Sequence, residues 1–175
     1  MTQTRDSSTT PPQPSATDES LLAAALAKIP SGLFVVTWQD ESRDRGMLAS
    51  WVMQAGFAPP TITVAVGVDR DLVAAIERGC RFVINILGES QRPLLARFGR
   101  PSSKGDDPFA GLDMSRSPGG GPVLVASVGW LECRAVGRVG GDATDHVVVL
   151  AEVTAAAAAG TEPPLVHLRK NGLRY

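Results

Sequence analysis

The pattern of hydrophobic and polar positions predicts a chain built mainly of β-strands. Apolar and β-branched runs recur from residue 32 onward, separated by segments rich in Gly, Pro, Asp and Ser. In TITVAVGV (61–68), Thr alternates with Val and Ala, which is typical of a strand with one buried face. The remaining apolar runs predict strands at GLFVVTW (32–38), MLASWV (47–52), RFVINIL (81–87), and within 122–140, 145–158 and 165–175.

Short helices are predicted between some of these strands. Asp18 is a suitable N-cap for a helix over 20–29 that Pro30 ends, and Asp69 and Asp71 can cap a helix over 72–79 that ends at Gly79. A third helix is expected in 89–99. Because strands and helices do not alternate regularly, the order favours an antiparallel barrel with a few packed helices over a doubly wound parallel sheet.

Three segments are predicted to lack regular strand or helix structure. Residues 1–20 are rich in Ser, Thr, Pro and Gln, so we expect a disordered tail before one domain at 21–175. DESRDRG (40–46) should form a hairpin loop. The segment 100–121 should form a long loop. Loops of this length are uncommon unless they are functional, so this one is a candidate for an active-site lid. Pro59 and Pro60 cannot donate ladder hydrogen bonds, so they mark a break or an edge rather than a central strand.

Composition limits the function classes. The formal net charge is −1, and the low aromatic content offers no stacking ladder, so we expect no nucleic-acid partner. The sequence lacks a signal peptide and a membrane-spanning run, which indicates a soluble, cytoplasmic protein. Cys80 and Cys133 are interpreted as free thiols, and no pair of C-x-x-C clusters indicates a structural zinc site.

Candidate chemistry is sparse in the residues themselves. Asp145 and His146 open a strand, where an acid beside a histidine can hold one tautomer and offer a hydrogen bond to a ligand; the alternative is a partly exposed histidine that starts a strand. Trp51 is either a core residue or part of a ligand site. Arg70 is either solvated or a phosphate ligand. No serine lies in a G-x-S-x-G motif, which argues against a hydrolase of that type.

The order of several segments resembles the flavin reductase-like family of FMN-binding split barrels. These segments include MLASWVMQAGFAPPTITVAV (47–66), RFVINIL (81–87), WLECRAV (130–136) and DHVVVLAEV (145–153). The resemblance covers residues 21–175. It is strongest to the flavin reductase-like C-terminal domains of diflavin flavodiiron proteins, and we expect the barrel here without their diiron and flavodoxin domains.

The resemblance implies a fold and a set of flavin-binding residues. The fold would be mainly β (α+β), an antiparallel Greek-key split barrel. In the family, the segment matching 47–55 lines the isoalloxazine ring, the turn matching 69–70 lies near the flavin phosphate, and the histidine of a G-D-H motif lies near flavin and nicotinamide. Thr144 stands here in place of that glycine, and Gly56 in place of a Ser or Thr. The implied binding residues are Met47, Leu48, Ala49, Ser50, Trp51, Gln54, Ala55, Asp69, Arg70 and His146, with His146 as the catalytic residue.

The resemblance also implies a reaction and an assembly. The chain would bind FMN, with FAD as an alternative, transfer hydride from NADH or NADPH to flavin, and pass electrons to an acceptor. The alternative is an FMN-binding electron-transfer module that a protein partner reduces. A flavin-free heme-binding or structural barrel is a further alternative. A homodimer is expected because related split barrels build the flavin site at a two-fold interface.

Overall fold

The computed structural model describes residues 16–100 and 107–173, which form two compact units. The large unit spans Ser31–His167, and the small unit contains the described residues of both chain ends. The helices are α1 (Ala16–Leu26), α2 (Asp71–Glu77) and α3 (Pro93–Phe98). The strands are β1 (Ser31–Gly32), β2 (Phe34–Asp40), β3 (Arg43–Ala49), β4 (Val52–Phe57), β5 (Pro60–Gly67), β6 (Phe82–Ile86), β7 (Met114–Arg116), β8 (Pro122–Leu124), β9 (Gly129–Gly140), β10 (His146–Ala158) and β11 (Val166–His167).

Seven strands form one antiparallel sheet with the order β3-β2-β6-β9-β10-β5-β4. Two smaller pairs, β1 with β11 and β7 with β8, accompany it. The strands dominate and the helices are few, so the predicted mainly β, antiparallel fold is confirmed. The sheet is not closed by hydrogen bonds, because β3 and β4 are its two edges.

Chain connectivity requires this sheet to curl. A flat seven-stranded sheet would hold its edges about 29 Å apart, given about 4.8 Å between neighbouring strands. Yet β3 ends at Ala49 and β4 begins at Val52. Three Cα-to-Cα steps span at most about 11 Å. The two edges therefore approach each other at Ser50 and Trp51, which is where the barrel is split.

Alternate residues of the strands build the main core. The burial pattern of β10 places Val147, Val149 and Ala151 inside, opposite Val66, Val64 and Ile62 of β5. Leu72 and Ala75 of α2 belong to the same buried cluster. A second cluster packs α3 against the sheet through Leu33, Val35, Leu87, Leu94, Phe98, Phe109, Leu124 and Leu165.

A buried polar group ties the β7–β8 hairpin to the sheet. The Asn85 side-chain amide donates to the Val35 carbonyl and to Thr37 Oγ1, both at 3.0 Å, and its Oδ1 accepts the Leu124 amide at 2.8 Å. Thr37 Oγ1 donates to the Pro122 carbonyl. Buried amides are stable when every donor and acceptor has a partner, so Asn85 fixes where β8 lies.

The β2–β3 connection differs from the sequence prediction. The charged segment 40–46 is predicted as a hairpin loop, but strand pairing continues to Asp40 and resumes at Arg43. Only Glu41 and Ser42 form the turn, with φ of 47° and 67°. A two-residue turn with positive φ at both positions matches strand twist, so the charges lie on paired strands.

The first residues of two helices also differ from the sequence prediction. The N-cap of α2 is Arg70 without a side-chain capping bond, and Asp71 is already helical, so Asp69 and Asp71 do not cap it as predicted. Gly79, with φ of 83°, ends the helix as predicted. Helix α1 begins at Ala16, so residues 16–20 are helical although we assigned them to the tail. The rest of that tail, residues 1–15, lies outside the described residues.

The segment 100–121 is not a plain loop. Residues 101–106 lie outside the described part, but the remainder contains β7, which pairs with β8.

In the small unit, the Gly172 amide donates to the Ala23 carbonyl at 3.0 Å and ties the C-terminal segment to α1. Across residues 16–100 and 107–173, no helix has the length and apolarity needed to cross a bilayer.

Candidate functional site

The connection between the sheet edges is held to the neighbouring strand. The Ala65 amide of β5 donates to the Trp51 carbonyl at 2.9 Å. This bond fixes the backbone where the chain leaves β3 and enters β4. The Trp51 side chain remains 39% exposed, an unusual amount for a large aromatic residue in a strand-rich domain.

The structure brings Trp51 against His146, although 94 residues separate them in the sequence. Their ring centroids lie 4.8 Å apart with the planes tilted by 53°. The imidazole is 15% exposed, so it is mostly covered but still reaches the surface. His146 is the first residue of β10 and lies opposite Gly67 of β5. The two predicted residues therefore form one aromatic surface.

Asp145 is hydrogen-bonded to His146. Its Oδ1 lies 2.9 Å from His146 Nδ1, while its own side chain is 92% exposed. The bond to the imidazole lowers the pKa of the Asp145 carboxyl, because the carboxylate form is the better acceptor. Asp145 therefore stays ionised next to the ring.

The turn between β5 and α2 lies beside this pair. The Val68 amide donates to the Asp145 carbonyl at 3.1 Å, and the Arg70 amide donates to the Gly67 carbonyl at 3.0 Å. A Cβ on Gly67 would lie 3.0 Å from Asp69 Oδ1, so glycine permits this close approach. Asp69 is exposed and Arg70 half-buried. The turn that we predicted to lie near the phosphate is thus next to the Trp51–His146 pair.

The other predicted residues follow the two edge strands. Met47 packs against the main core, Leu48 against the second cluster, and Ala49 is 8% exposed, so a ligand would meet these three through the backbone. Ser50 is half-buried between the edges. Gln54 and Ala55 of β4 are exposed, and a register shift occurs between Gln54 and Gly56.

An exposed apolar face, which sequence reasoning missed, continues from the aromatic pair. Val148 and Leu150 point away from the core on β10 and are 37% and 38% exposed. Met53 of β4 and Leu150 both pair with Thr63, and Val139 of β9 pairs with Val148. We call Met53, Val139, Val148 and Leu150 the outer face. The unbroken apolar run VVVLA was the available signal, because both faces of β10 carry apolar side chains.

Sequence reasoning also missed the hydrogen bonds of Thr144. Its hydroxyl donates to the His146 carbonyl at 2.6 Å. It also accepts the Gly141 amide at 3.5 Å, the limit of a hydrogen bond. A glycine, which the family has at this place, could make neither side-chain contact.

The cysteines lie apart from this chemistry. Burial, and then the neighbouring Glu132, raise the pKa of the Cys133 thiol to about 12. The thiol is therefore neutral at physiological pH and unsuited to nucleophilic attack. Cys80 and Cys133 are not joined in a disulfide. Among the described residues, no group of three or more His, Cys, Asp or Glu is arranged to hold a metal ion.

Comparison with known proteins identifies the relatives of this chain. The family model described as a flavin reductase like domain matches residues 26–172. The chain is 38% identical over 159 residues to diflavin flavoprotein A 1 of Synechocystis sp., covering 90% of this chain but 27% of that protein. The chain thus spans about a quarter of the length of this curated relative.

Solved structures show the same fold. Nitrilotriacetate monooxygenase component B from Mycobacterium thermoresistibile superposes with a TM-score of 0.76 and 28% identity, covering 87% of this chain and 84% of that one. The NADH:FAD oxidoreductase of Streptomyces globisporus, solved with NAD and FAD fragments, gives a TM-score of 0.73 at 24% identity, covering 81% and 83%. The second likeness concerns the fold alone.

Proposed function

Because the chain belongs to the family of flavin reductase like domains, we propose that it binds FMN and transfers hydride from NAD(P)H to flavin. The arrangement that carries this proposal is the aromatic pair of Trp51 and His146 at the split between the sheet edges, with Arg70 beside it.

The residues at the split fit a flat, anionic ligand. Trp51 is partly exposed and offers an aromatic surface for a ring system. Ala49 and Ala55 have small side chains, and β4 is a sheet edge, so a planar group can approach the backbone closely. Arg70 makes no ion pair within the described residues, so its guanidinium has no carboxylate to displace before it binds a phosphate.

Each residue would contribute binding or orientation. The backbone amides around Ser50 and Trp51 would donate to the polar edge of the isoalloxazine ring, where a preorganised donor stabilises developing negative charge. Arg70 would hold the phosphate end through its guanidinium, and Asp69 would meet it only through the backbone of the same turn. Gln54 and Ala55 would line the ring from β4, and Met47, Leu48 and Ala49 from β3.

His146 would act at the reacting end of the site. Its ring can donate or accept a hydrogen bond according to its protonation state, and Trp51 fixes one side of it. When bound, the flavin would supply the hydride-accepting atom, and the protein would supply position and electrostatics. His146 would orient the nicotinamide or donate to the flavin edge, and no nucleophilic side chain is required.

The test combines a spectrum with an assay. The visible spectrum of the purified protein, alone and after addition of FMN or FAD, reports flavin binding. Oxidation of NADH and of NADPH is then followed with FMN present. We expect a bound-flavin spectrum and nicotinamide oxidation above the FMN-only rate. A protein that binds flavin without oxidising either nicotinamide would reject hydride transfer from NAD(P)H.

A second candidate function is an FMN-binding electron-transfer module reduced by a protein partner. The observation that favours it is the relative from Synechocystis, a diflavin flavoprotein of which this chain spans 27%. In such a chain the electron donor or acceptor would be another protein, in the cytoplasm. Reduction of bound flavin by a reduced flavoprotein, but not by NAD(P)H, distinguishes this candidate.

The outer face supports a homodimer. Val139, Val148 and Leu150 are exposed side by side, Met53 lies beyond Thr63 on the next strand but one, and exposed apolar patches are typical of protein interfaces. The face continues from Trp51 and His146, so a second copy seated there would cover the flavin site. We therefore propose a two-fold dimer, the commonest symmetric assembly.

A further inference from the structure

We infer that Asp145 is a positioning residue whose carboxylate fixes the tautomer and the ring orientation of His146. The inference rests on the proposed function for its consequence in catalysis. The effect of Asp145 on the tautomer of His146 can be measured without flavin or nicotinamide.

The contacts of Asp145 divide between its backbone and its side chain. The carbonyl accepts the Val68 amide at 3.1 Å, which anchors the residue to the turn after β5. The carboxylate is 92% exposed and contacts His146 Nδ1 at 2.9 Å. A side chain so exposed contributes little packing, so its contribution lies in the bond to the imidazole.

This bond determines which ring nitrogen carries the proton. A carboxylate only accepts hydrogen bonds, and the neutral imidazole has a single N–H, so Nδ1 must be the donor. Nε2 then has the lone pair. The ring can therefore accept an amide N–H of a ligand through Nε2 when neutral, and it donates through the same atom when protonated. Both the nicotinamide carboxamide and the imide edge of a flavin present such groups.

The backbone under the ring is held as well. The Thr144 hydroxyl donates to the His146 carbonyl at 2.6 Å, while the ring itself lies 4.8 Å from Trp51. Three contacts thus fix His146. Thr144 holds its backbone carbonyl, Asp145 holds Nδ1 of its ring, and Trp51 lies against the face of the ring. Supporting contacts of this kind hold a functional side chain in one geometry.

Imidazole ¹⁵N shifts of the full chain test the inference, since they distinguish the two neutral tautomers. The sequence has two histidines, so His167 is an internal reference. In the neutral ring, we expect His146 to carry its proton on Nδ1. Asp145→Ala should raise the Nε2–H tautomer of His146, whereas Asp145→Asn, whose amide oxygen still accepts, should retain the Nδ1–H form.

Asp142→Ala is the matched control, because it removes an exposed carboxylate from the same turn without touching the imidazole. It should leave the His146 shifts unchanged. In the flavin-loaded protein, Asp145→Ala should slow single-turnover reduction at least about threefold with FMN affinity unchanged, since orientation of contacting groups controls such rates.

The outcomes separate the two proposals. A wild-type His146 protonated on Nε2, or one with the same tautomer in Asp145→Ala, would overturn the positioning role. A wild-type His146 protonated on Nδ1 in a protein that does not oxidise NAD(P)H would reject the proposed function and retain the positioning role.

Discussion

At the residue scale, the candidate site depends on side chains that meet only after folding. Trp51, in the connection between the two sheet edges, contacts His146 of β10, and Asp145 and Arg70 lie next to them through Gly67. The aromatic pair is exposed enough to meet a ligand and covered enough to exclude much of the water. Substitutions here should alter binding or rate more than stability.

His146→Asn should separate a catalytic role from a structural one. Asparagine keeps a hydrogen-bonding side chain but lacks the ring, so we expect the flavin spectrum to persist while single-turnover reduction by NAD(P)H slows at least about tenfold. Stopped-flow absorbance measures this rate. Reduction at the wild-type rate would assign His146 to a structural role, with a cost of roughly 1 kcal/mol on removal.

Arg70→Ala should weaken FMN binding selectively. Charge-assisted bonds to a phosphate contribute roughly 1.5–3 kcal/mol, so FMN affinity should fall about ten- to a hundredfold. Riboflavin, which lacks the phosphate, should bind as to the wild type, as fluorescence titration would report. Arg92→Ala, which removes an exposed arginine paired with Glu89, is the control. Equal losses for both flavins would exclude a phosphate contact.

At the element scale, the β7–β8 connection is held against the sheet by a buried carboxylate. Glu132 of β9 is 1% exposed; its Oε2 accepts the Gly119 amide at 3.0 Å, and Arg81 lies 3.6 Å from its Oε1. A buried carboxylate is stable only when such partners compensate for lost hydration. The loop before β8 is therefore coupled to β9.

Gly119→Ala should disturb this coupling. An added Cβ would lie 1.8 Å from Glu132 Oε1, so the carboxylate must move away from the Gly119 amide. We expect the free energy of unfolding to fall by about 1–3 kcal/mol, as for other overpacked sites. Urea denaturation measures it. Gly137→Ala is the control because nothing lies within 4 Å of an added Cβ there, and an equal effect of both would refute the coupling.

Glu162 should make stability depend on pH. It accepts the Ser90 amide and hydroxyl, and these bonds lower the pKa of its carboxyl below 4.5. With a lowered native pKa, its contribution is present above pH 4.5 and is lost as the pH falls through the native value.

Glu162→Gln should therefore lower the melting temperature at pH 7, and the difference from wild type should vanish in acid below the native pKa. Calorimetry at several pH values checks this, with Asp142→Asn as an exposed control. A difference that persisted unchanged in acid would show that the Glu162 charge contributes nothing.

At the scale of the whole molecule, the open sheet and its outer face are the features on which the proposed dimer rests. The sheet leaves two edges unpaired, and its outward residues near the site are apolar. Charges placed on this face should oppose dimer formation without disturbing the core, because these side chains point away from it.

Leu150→Glu should convert the proposed dimer to a monomer. A charge buried in an apolar interface costs several kcal/mol unless it is paired, so association at micromolar concentration should be lost. Light scattering measures the mass. Val125→Glu is the control, since Val125 is exposed but lies after β8, outside this face. A monomeric wild type would remove the proposal.

The sequence by itself determined features that depend on neighbouring residues. Alternation in 61–68 predicted β5, the prolines at 59 and 60 predicted a break or an edge where Pro60 begins this strand, and Gly79 predicted the end of α2. Such signals are local, because side-chain period and backbone φ are set within a few residues. The pairing of Asp145 with His146 was visible for the same reason.

Only the tertiary structure decided what long-range pairing brings together. Strand alternation does not specify which strand lies beside which, so the sequence could not show that β3 and β4 are opposite edges joined at Ser50 and Trp51. Nor could it show that Trp51 lies on His146 or that the apolar outer side of β10 is exposed. These features depend on how the seven strands of the open sheet curl around the main core, and that is settled by packing across many strands.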